Sequence, residues 1–137
     1  MRLEHKNVFV IEDDAENLAV ISTILRREGA NVHFDRWGME TLGRIKQHGS
    51  IDVILCDLML PGEASGYDVL KLVRADKVVR NVPVVAVTAS DPDVEMEKVR
   101  EAGFNGFISK PLNRRSFGGQ IVAVLNGRSV WNEDVAD

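Results

Sequence analysis

Two rhythms of apolar residues alternate along this chain. Short runs rich in β-branched and aromatic residues stand at 7–11 (NVFVI), 31–34 (NVHF), 52–56 (DVILC), 82–88 (VPVVAVT) and 106–109 (GFIS), the composition of half-buried or buried strands. Between them the apolar positions recur at helical spacing. Leu18, Ile21 and Leu25 share a face over 15–28, a stretch that stops at Gly29. Met39, Leu42 and Ile45 share one over 38–47, before Gly49, and Val69, Leu70 and Val73 share one over 66–75. A fourth helix opens with Asp91 as its cap and Pro92 at its first position, and it closes at Gly103. Asp93 and Glu95 in its first turn suit the positive end of the helix dipole. A fifth opens after 110–113 (KPLN) with Asn113 as the cap and Phe117, Ile121 and Val124 or Leu125 facing inward. Gly118 and Gly119 should weaken its first turns.

Strand and helix alternating five times predict a parallel sheet with helices on both faces. The third and fourth runs are apolar almost throughout, as strands covered on both sides are. The last residues, 128–137 (RSVWNEDVAD), have no clear period and predict a frayed tail on which Trp131 could dock. No repeat, linker or low-complexity tract interrupts the pattern.

Polar residues of one kind gather where the strands end. The first strand runs into Glu12, Asp13 and Asp14, the third into Asp57, the fourth into Thr88, Ala89 and Ser90, and the fifth into Lys110 and Pro111. In doubly wound sheets ligands bind beyond the carboxyl ends of the strands. Neighbouring strands lie about 4.8 Å apart, so these groups converge. Asp57 is flanked by apolar Val53–Cys56 and Leu58–Leu60, a costly setting for a carboxylate without compensation. Clustered carboxylates demand a cation, and oxygen donors suit a hard ion such as Mg²⁺. A lysine and a hydroxyl beside them complete a site for a phosphoryl group. The most buried carboxylate, Asp57, is then the natural acceptor.

Composition narrows the function further. The chain has 137 residues, room for one domain with a real core. Net charge −4 argues against a nucleic-acid binder. One cysteine, Cys56, forms no internal disulfide and no zinc cluster, and is read as a small buried hydrophobe. No apolar run approaches the roughly 20 residues of a membrane span, and the first ten residues lack a secretory core. A cytoplasmic protein that engages neither membrane nor nucleic acid is expected.

Four segments carry a resemblance. In the order VIEDD (10–14), DLMLPG (57–62), VTAS (87–90) and FISKP (107–111), the chain resembles the receiver domain of two-component response regulators over roughly residues 6–127. The resemblance implies a flavodoxin-like (βα)5 fold with strand order 2-1-3-4-5, a receiver domain over 1–127 and a tail over 128–137. It implies that Asp57 is phosphorylated by a histidine kinase or phosphotransfer protein. Asp13 would bind Mg²⁺ directly, Glu12 largely through a water, and the Met59 carbonyl and Asp57 would complete the protein ligands. Thr88 and Lys110 would hold phosphoryl oxygens, Phe107 would be the aromatic switch, and the Lys110–Pro111 peptide would be cis. Output would pass through the fourth helix, fifth strand and fifth helix to a protein partner or a second copy. A stand-alone receiver is expected, with a domain excised from a larger regulator or hybrid kinase as the alternative. One departure stands out: Pro61 and Gly66 enclose four residues, GEAS, where the family usually has three.

Plainer readings compete at each residue. Alone, Asp57 would be a strand-end cap, EDD a solvated helix start, Thr88 a β-former and Lys110 a surface lysine. Their order and shared position outweigh this. Phe107 reads equally well as a core residue. His5, His33 and His48 are scattered and read as non-catalytic, and 91–101 as a solvated helix face. The rival function is a Mg²⁺-dependent phosphatase with an aspartyl nucleophile. Such enzymes resemble a D-x-D pattern, and Met59 stands where the second Asp would be. A flavodoxin-like cofactor binder would need a phosphate cradle where this chain has carboxylates. The expectation is therefore a phosphoacceptor protein rather than an enzyme.

Overall fold

The structure, a computed structural model, describes residues 1–38 and 40–136. Seven strands and five helices follow one another as β1 (Asn7–Ile11), α1 (Ala15–Arg27), β2 (Asn31–Asp35), α2 (Thr41–His48), β3 (Val53–Cys56), α3 (Gly66–Ala75), β4 (Val84–Thr88), α4 (Pro92–Ala102), β5 (Gly106–Ser109), α5 (Phe117–Leu125), β6 (Ser129–Trp131) and β7 (Asp134–Ala136). They form a single sheet in the order β2-β1-β3-β4-β5-β6-β7. The expected order 2-1-3-4-5 is present, and the pairing is parallel from β2 to β6.

Period-2 alternation splits the buried side chains into two cores. Phe9, Ile11, Ile54, Cys56, Ala86 and Phe107 face one side, where α3 contributes Val69, Leu70 and Val73 and α4 contributes Val99. Val8, Val10, Val53, Leu55, Val85, Val87 and Ile108 face the other, where α1 and α5 contribute Ile21, Leu25, Phe117 and Ile121. β3 and β4 are buried at every position, which is why their sequences carry no polar alternation.

Helix boundaries follow local chemistry. Asp91 caps α4 by accepting from the Asp93 N–H at 3.0 Å, with Pro92 in the first turn. Ser65 and Asp68 form a reciprocal capping box on α3. α2 begins later than the pattern predicts, because Gly38 N–H donates to the Thr41 hydroxyl at 3.0 Å and closes a turn ahead of it. Met39, assigned to that helix face from the sequence, lies outside the described residues. Asn113 accepts from the Arg115 N–H at 3.0 Å and so caps a preceding turn, while α5 proper begins at Phe117. Gly118 and Gly119 have a packing reason: an added Cβ would lie 3.2 and 3.1 Å from the Arg2 guanidinium.

The tail departs from expectation. β6 pairs in parallel with β5 and β7 returns antiparallel to β6. Trp131 is buried in the same core as Phe107, and the Arg100 guanidinium lies 4.5 Å from its ring centroid. Gly106 makes the pairing possible, since a Cβ there would stand 2.9 Å from the Val130 carbonyl oxygen.

Candidate functional site

The carboxyl edge of the sheet brings the polar strand ends together. Asp57 N–H donates to the Ile11 carbonyl at 3.2 Å, which sets Asp57 beside Glu12 across β1 and β3. Lys110 N–H donates to the Thr88 carbonyl at 2.9 Å, which fixes the start of the β5–α5 loop against the end of β4. The Lys110–Pro111 peptide is cis. From there the Lys110 ammonium donates to Asp57 Oδ2 at 2.8 Å and to Glu12 Oε1.

All three members of this bridge are nearly out of solvent. The side chains of Lys110, Glu12 and Asp57 retain 9%, 2% and 12% exposure. Burial disfavours the Lys110 ammonium, but its hydrogen bonds to Asp57 and Glu12, and their charge, outweigh this and raise its pKa. The neighbouring Cys56 thiol is pushed up by burial and then by the charges of Asp57 and Glu12, which leaves it an inert core group.

The second oxygens of both carboxylates are held by the backbone. Asp57 Oδ1 accepts from the Met59 N–H at 3.2 Å, and Glu12 Oε2 accepts from the Asp14 N–H at 3.2 Å. Asp14 itself caps α1 by accepting from the Asn17 N–H at 2.9 Å. Asp13 stands exposed between them. Thr88, 1% exposed, ends the strand next to β3. Its hydroxyl pairs with the Ser90 hydroxyl at 3.1 Å and accepts from the Ser90 N–H at 3.2 Å. Phe107 is fully buried.

The loop after Asp57 is shaped by close approach. A Cβ on Gly66 would lie 2.7 Å from the Asp57 carbonyl oxygen. Met59 and Ser65 pair across the base of this loop. Gly62 and Glu63 are exposed at its tip, while Leu60 and Ala64 pack against the core.

Among the described residues no three His, Cys, Asp or Glu side chains are set out as a metal cage. Glu12 and Asp57 share the Lys110 ammonium, and Asp13 faces solvent. His33 and His48, read as scattered, meet edge to face with ring centroids 4.3 Å apart beside β2. Two features of the site escaped the sequence reading. One is the direct Lys110–Glu12 contact. The other is the Ser109 hydroxyl, on the residue paired with Thr88, which is buried without a partner.

Comparison with known proteins places this geometry. The response regulator receiver domain model matches residues 8–121. The chain belongs to this family. The polar-differentiation response regulator DivK of Brucella ovis is 34% identical over 108 residues, covering 79% of this chain and 86% of DivK. The receiver domain of a sensor histidine kinase from Pseudomonas aeruginosa PAO1, solved with a magnesium ion coordinated in its active-site cleft, is 28% identical. It superposes with a TM-score of 0.72 over 89% of this chain and 98% of that one. The phosphorylated cyanobacterial phytochrome response regulator RcpA is 26% identical, with a TM-score of 0.69 and 90% of each chain covered. The protein is a receiver of the response-regulator type, and the phosphatase reading is not favoured. No helix among the described residues is long and apolar enough to cross a membrane.

Proposed function

We propose that Asp57 is the phosphoacceptor of this receiver, and that Lys110 and Thr88 sense the phosphoryl group. The observation that carries the reading is the Lys110 ammonium shared between Asp57, at 2.8 Å, and Glu12. It sets a positive charge directly against the Asp57 carboxylate at the rim of the core. An Asp57 oxygen attacks phosphorus, and the bond from phosphorus to the donor's imidazole nitrogen breaks. The leaving nitrogen keeps the electron pair. The acyl phosphate so formed adds about −1.5 to −2 charge and three acceptor oxygens. Lys110 then meets a phosphoryl oxygen by a charge-assisted bond. The Thr88 hydroxyl exchanges Ser90 for another oxygen, and Phe107 moves toward the space Thr88 leaves.

The donor chemistry of Asp13, Asp57, Glu12 and the Met59 carbonyl, all oxygen, fits Mg²⁺, which needs few protein ligands and keeps its waters. Bound there, Mg²⁺ would supply positive charge against the phosphoryl oxygens. Asp13 is its principal holder, because its carboxylate is exposed while Glu12 and Asp57 are shared with Lys110.

The donor is a histidine kinase or phosphotransfer protein. A cavity of about 160 Å³ beside Lys110, lined by Val20, Ile21, Pro111 and Leu112 together with Asn17 and Arg114, offers it an apolar seat between α1 and the β5–α5 loop. Output is binding to a protein partner in the cytoplasm, or to a second copy through α4, β5 and α5. The chain's chemistry is limited to its own phosphorylation and dephosphorylation. The domain spans residues 1–127, with 128–137 as an appended segment.

The test is direct phosphorylation. With a small acyl-phosphate donor and Mg²⁺, mass spectrometry should find a single added phosphoryl group, on Asp57, absent after Asp57→Asn. A label on another residue contradicts the assignment.

A further inference from the structure

The strands from β2 to β5 all run parallel, with their carboxyl ends on one side of the sheet, yet β5 is no longer an edge. Residues 129–136 fold back as β6 and β7 and occupy its free side. The attachment is narrow. Asn132 N–H donates to the Phe107 carbonyl at 2.7 Å, and Val130 N–H reaches the Asn105 carbonyl at 3.4 Å, the weak end of the range. The Gln120 amide donates to the Asn132 carbonyl at 2.6 Å. Each strand of the hairpin has three residues, and β7 is exposed throughout. Two strands this short are marginal on their own. The hairpin therefore holds chiefly through Val130 and Trp131, which are buried.

The residue beside Trp131 in the β5–β6 register is Phe107. The two share a core, and the backbone of Phe107 also accepts the Asn132 bond. Three residues on, the same strand leads into Lys110, which touches Asp57. Any displacement of Phe107 withdraws packing from Trp131, because a close-packed core has two discrete arrangements rather than a continuum. An element with few contacts and exposed backbone bonds opens first.

We propose that the 129–136 hairpin is a cover over the β5 edge that phosphorylation at Asp57 loosens. The inference rests on the reading of Asp57 as phosphoacceptor. While closed, the hairpin occupies the donors and acceptors of β5 that an added partner strand would use. Opening it releases the Phe107 carbonyl and the pocket that Trp131 fills. In this chain, any contact through the β5 edge must first displace residues 129–136.

Amide hydrogen exchange on the whole chain tests this, with Trp37→Phe making Trp131 the sole tryptophan reporter. With acyl phosphate and Mg²⁺, exchange at Val130, Trp131 and Asn132 should rise at least tenfold, while β1 and β3 stay protected. Trp131 emission should shift to the red. Without phosphorylation, Phe107→Leu should raise exchange at the same three amides, because it removes packing from under Trp131. A phosphoryl label on Asp57 with unchanged exchange in the hairpin overturns the inference alone. Unchanged exchange in Phe107→Leu also overturns it. No label on Asp57 overturns the reading beneath it, and the inference with it.

Discussion

The two edges of the five-stranded part of the sheet, β2 and β5, are built in opposite ways. β2 lies open, with each of its five residues at least partly exposed and Phe34 at 57% exposure. β5 leads into Lys110, the buried lysine of the site, and its free side is closed by β6 and β7. Charge follows the same division. At the end of β2, Asp35 pairs with Arg44 at 2.6 Å, but Arg44 keeps 56% side-chain exposure. At the end of β5, Lys110 holds two carboxylates with 9% exposure. An exposed pair contributes little and is replaceable, whereas a buried cation between two carboxylates is costly to remove. The sensitive edge of this receiver is the one that has been covered.

Removing each cation tests this contrast most severely. Lys110→Met should cost about 3 kcal/mol at neutral pH by leaving Glu12 and Asp57 buried without their partner. Arg44→Met should cost under about 1 kcal/mol. Urea titrations at several pH values check both. The folded state raises the Lys110 pKa above its ordinary value of 10.5. Its stabilisation is thus complete below pH 10.5 and is lost as pH rises through the higher folded value. The gap between parent and Lys110→Met should hold from neutral pH to about 10.5 and close above it. Equal costs at the two edges would break the comparison.

A smaller effect separates the aromatic residues of the two edges. Trp131→Ala should destabilise by about 2 kcal/mol, less than a full core truncation because the hairpin can open alone. Phe34→Ala should change stability by no more than about 0.5 kcal/mol. Thermal melts of both variants, with hydrogen exchange locating the loss to residues 129–136, provide the check. The smallest contrast involves glycines. Gly106→Ala drives a Cβ against the Val130 carbonyl at 2.9 Å and should cost about 1 kcal/mol by pushing β6 away. Gly43→Ala, in α2 with nothing within 4 Å, should stabilise by up to about 1 kcal/mol.

Much of the interior was legible because it obeys local rules. β3 and β4 announce themselves as apolar runs, and the pair Asp91–Pro92 marks the start of α4. The strand-end positions of Glu12, Asp57, Thr88 and Lys110 placed them on one rim before any contact was known. The tail was not legible. Three-residue strands carry no period, and their pairing depends on an edge that the local sequence does not describe. The available signal was Gly106, opening a strand with no side chain on the side where Val130 approaches. The capping box of α3 was readable as Ser65 and Asp68 at i and i+3. The Lys110–Glu12 contact was hidden because these residues lie far apart in sequence, and only the packed sheet sets how far the lysine reaches.

The central claim is that charge placed on Asp57 is read along β5 and not along β2. Amide NMR of the protein with and without beryllofluoride, which mimics the phosphoryl group, tests it most directly. The account predicts large shifts from Phe107 through Lys110 and into α5, with small ones at Asn31–Asp35. In Thr88→Ala and Lys110→Ala the β5 shifts should shrink to the immediate surroundings of Asp57. Shifts as large along β2 as along β5, or a full parental pattern in both variants, would contradict it.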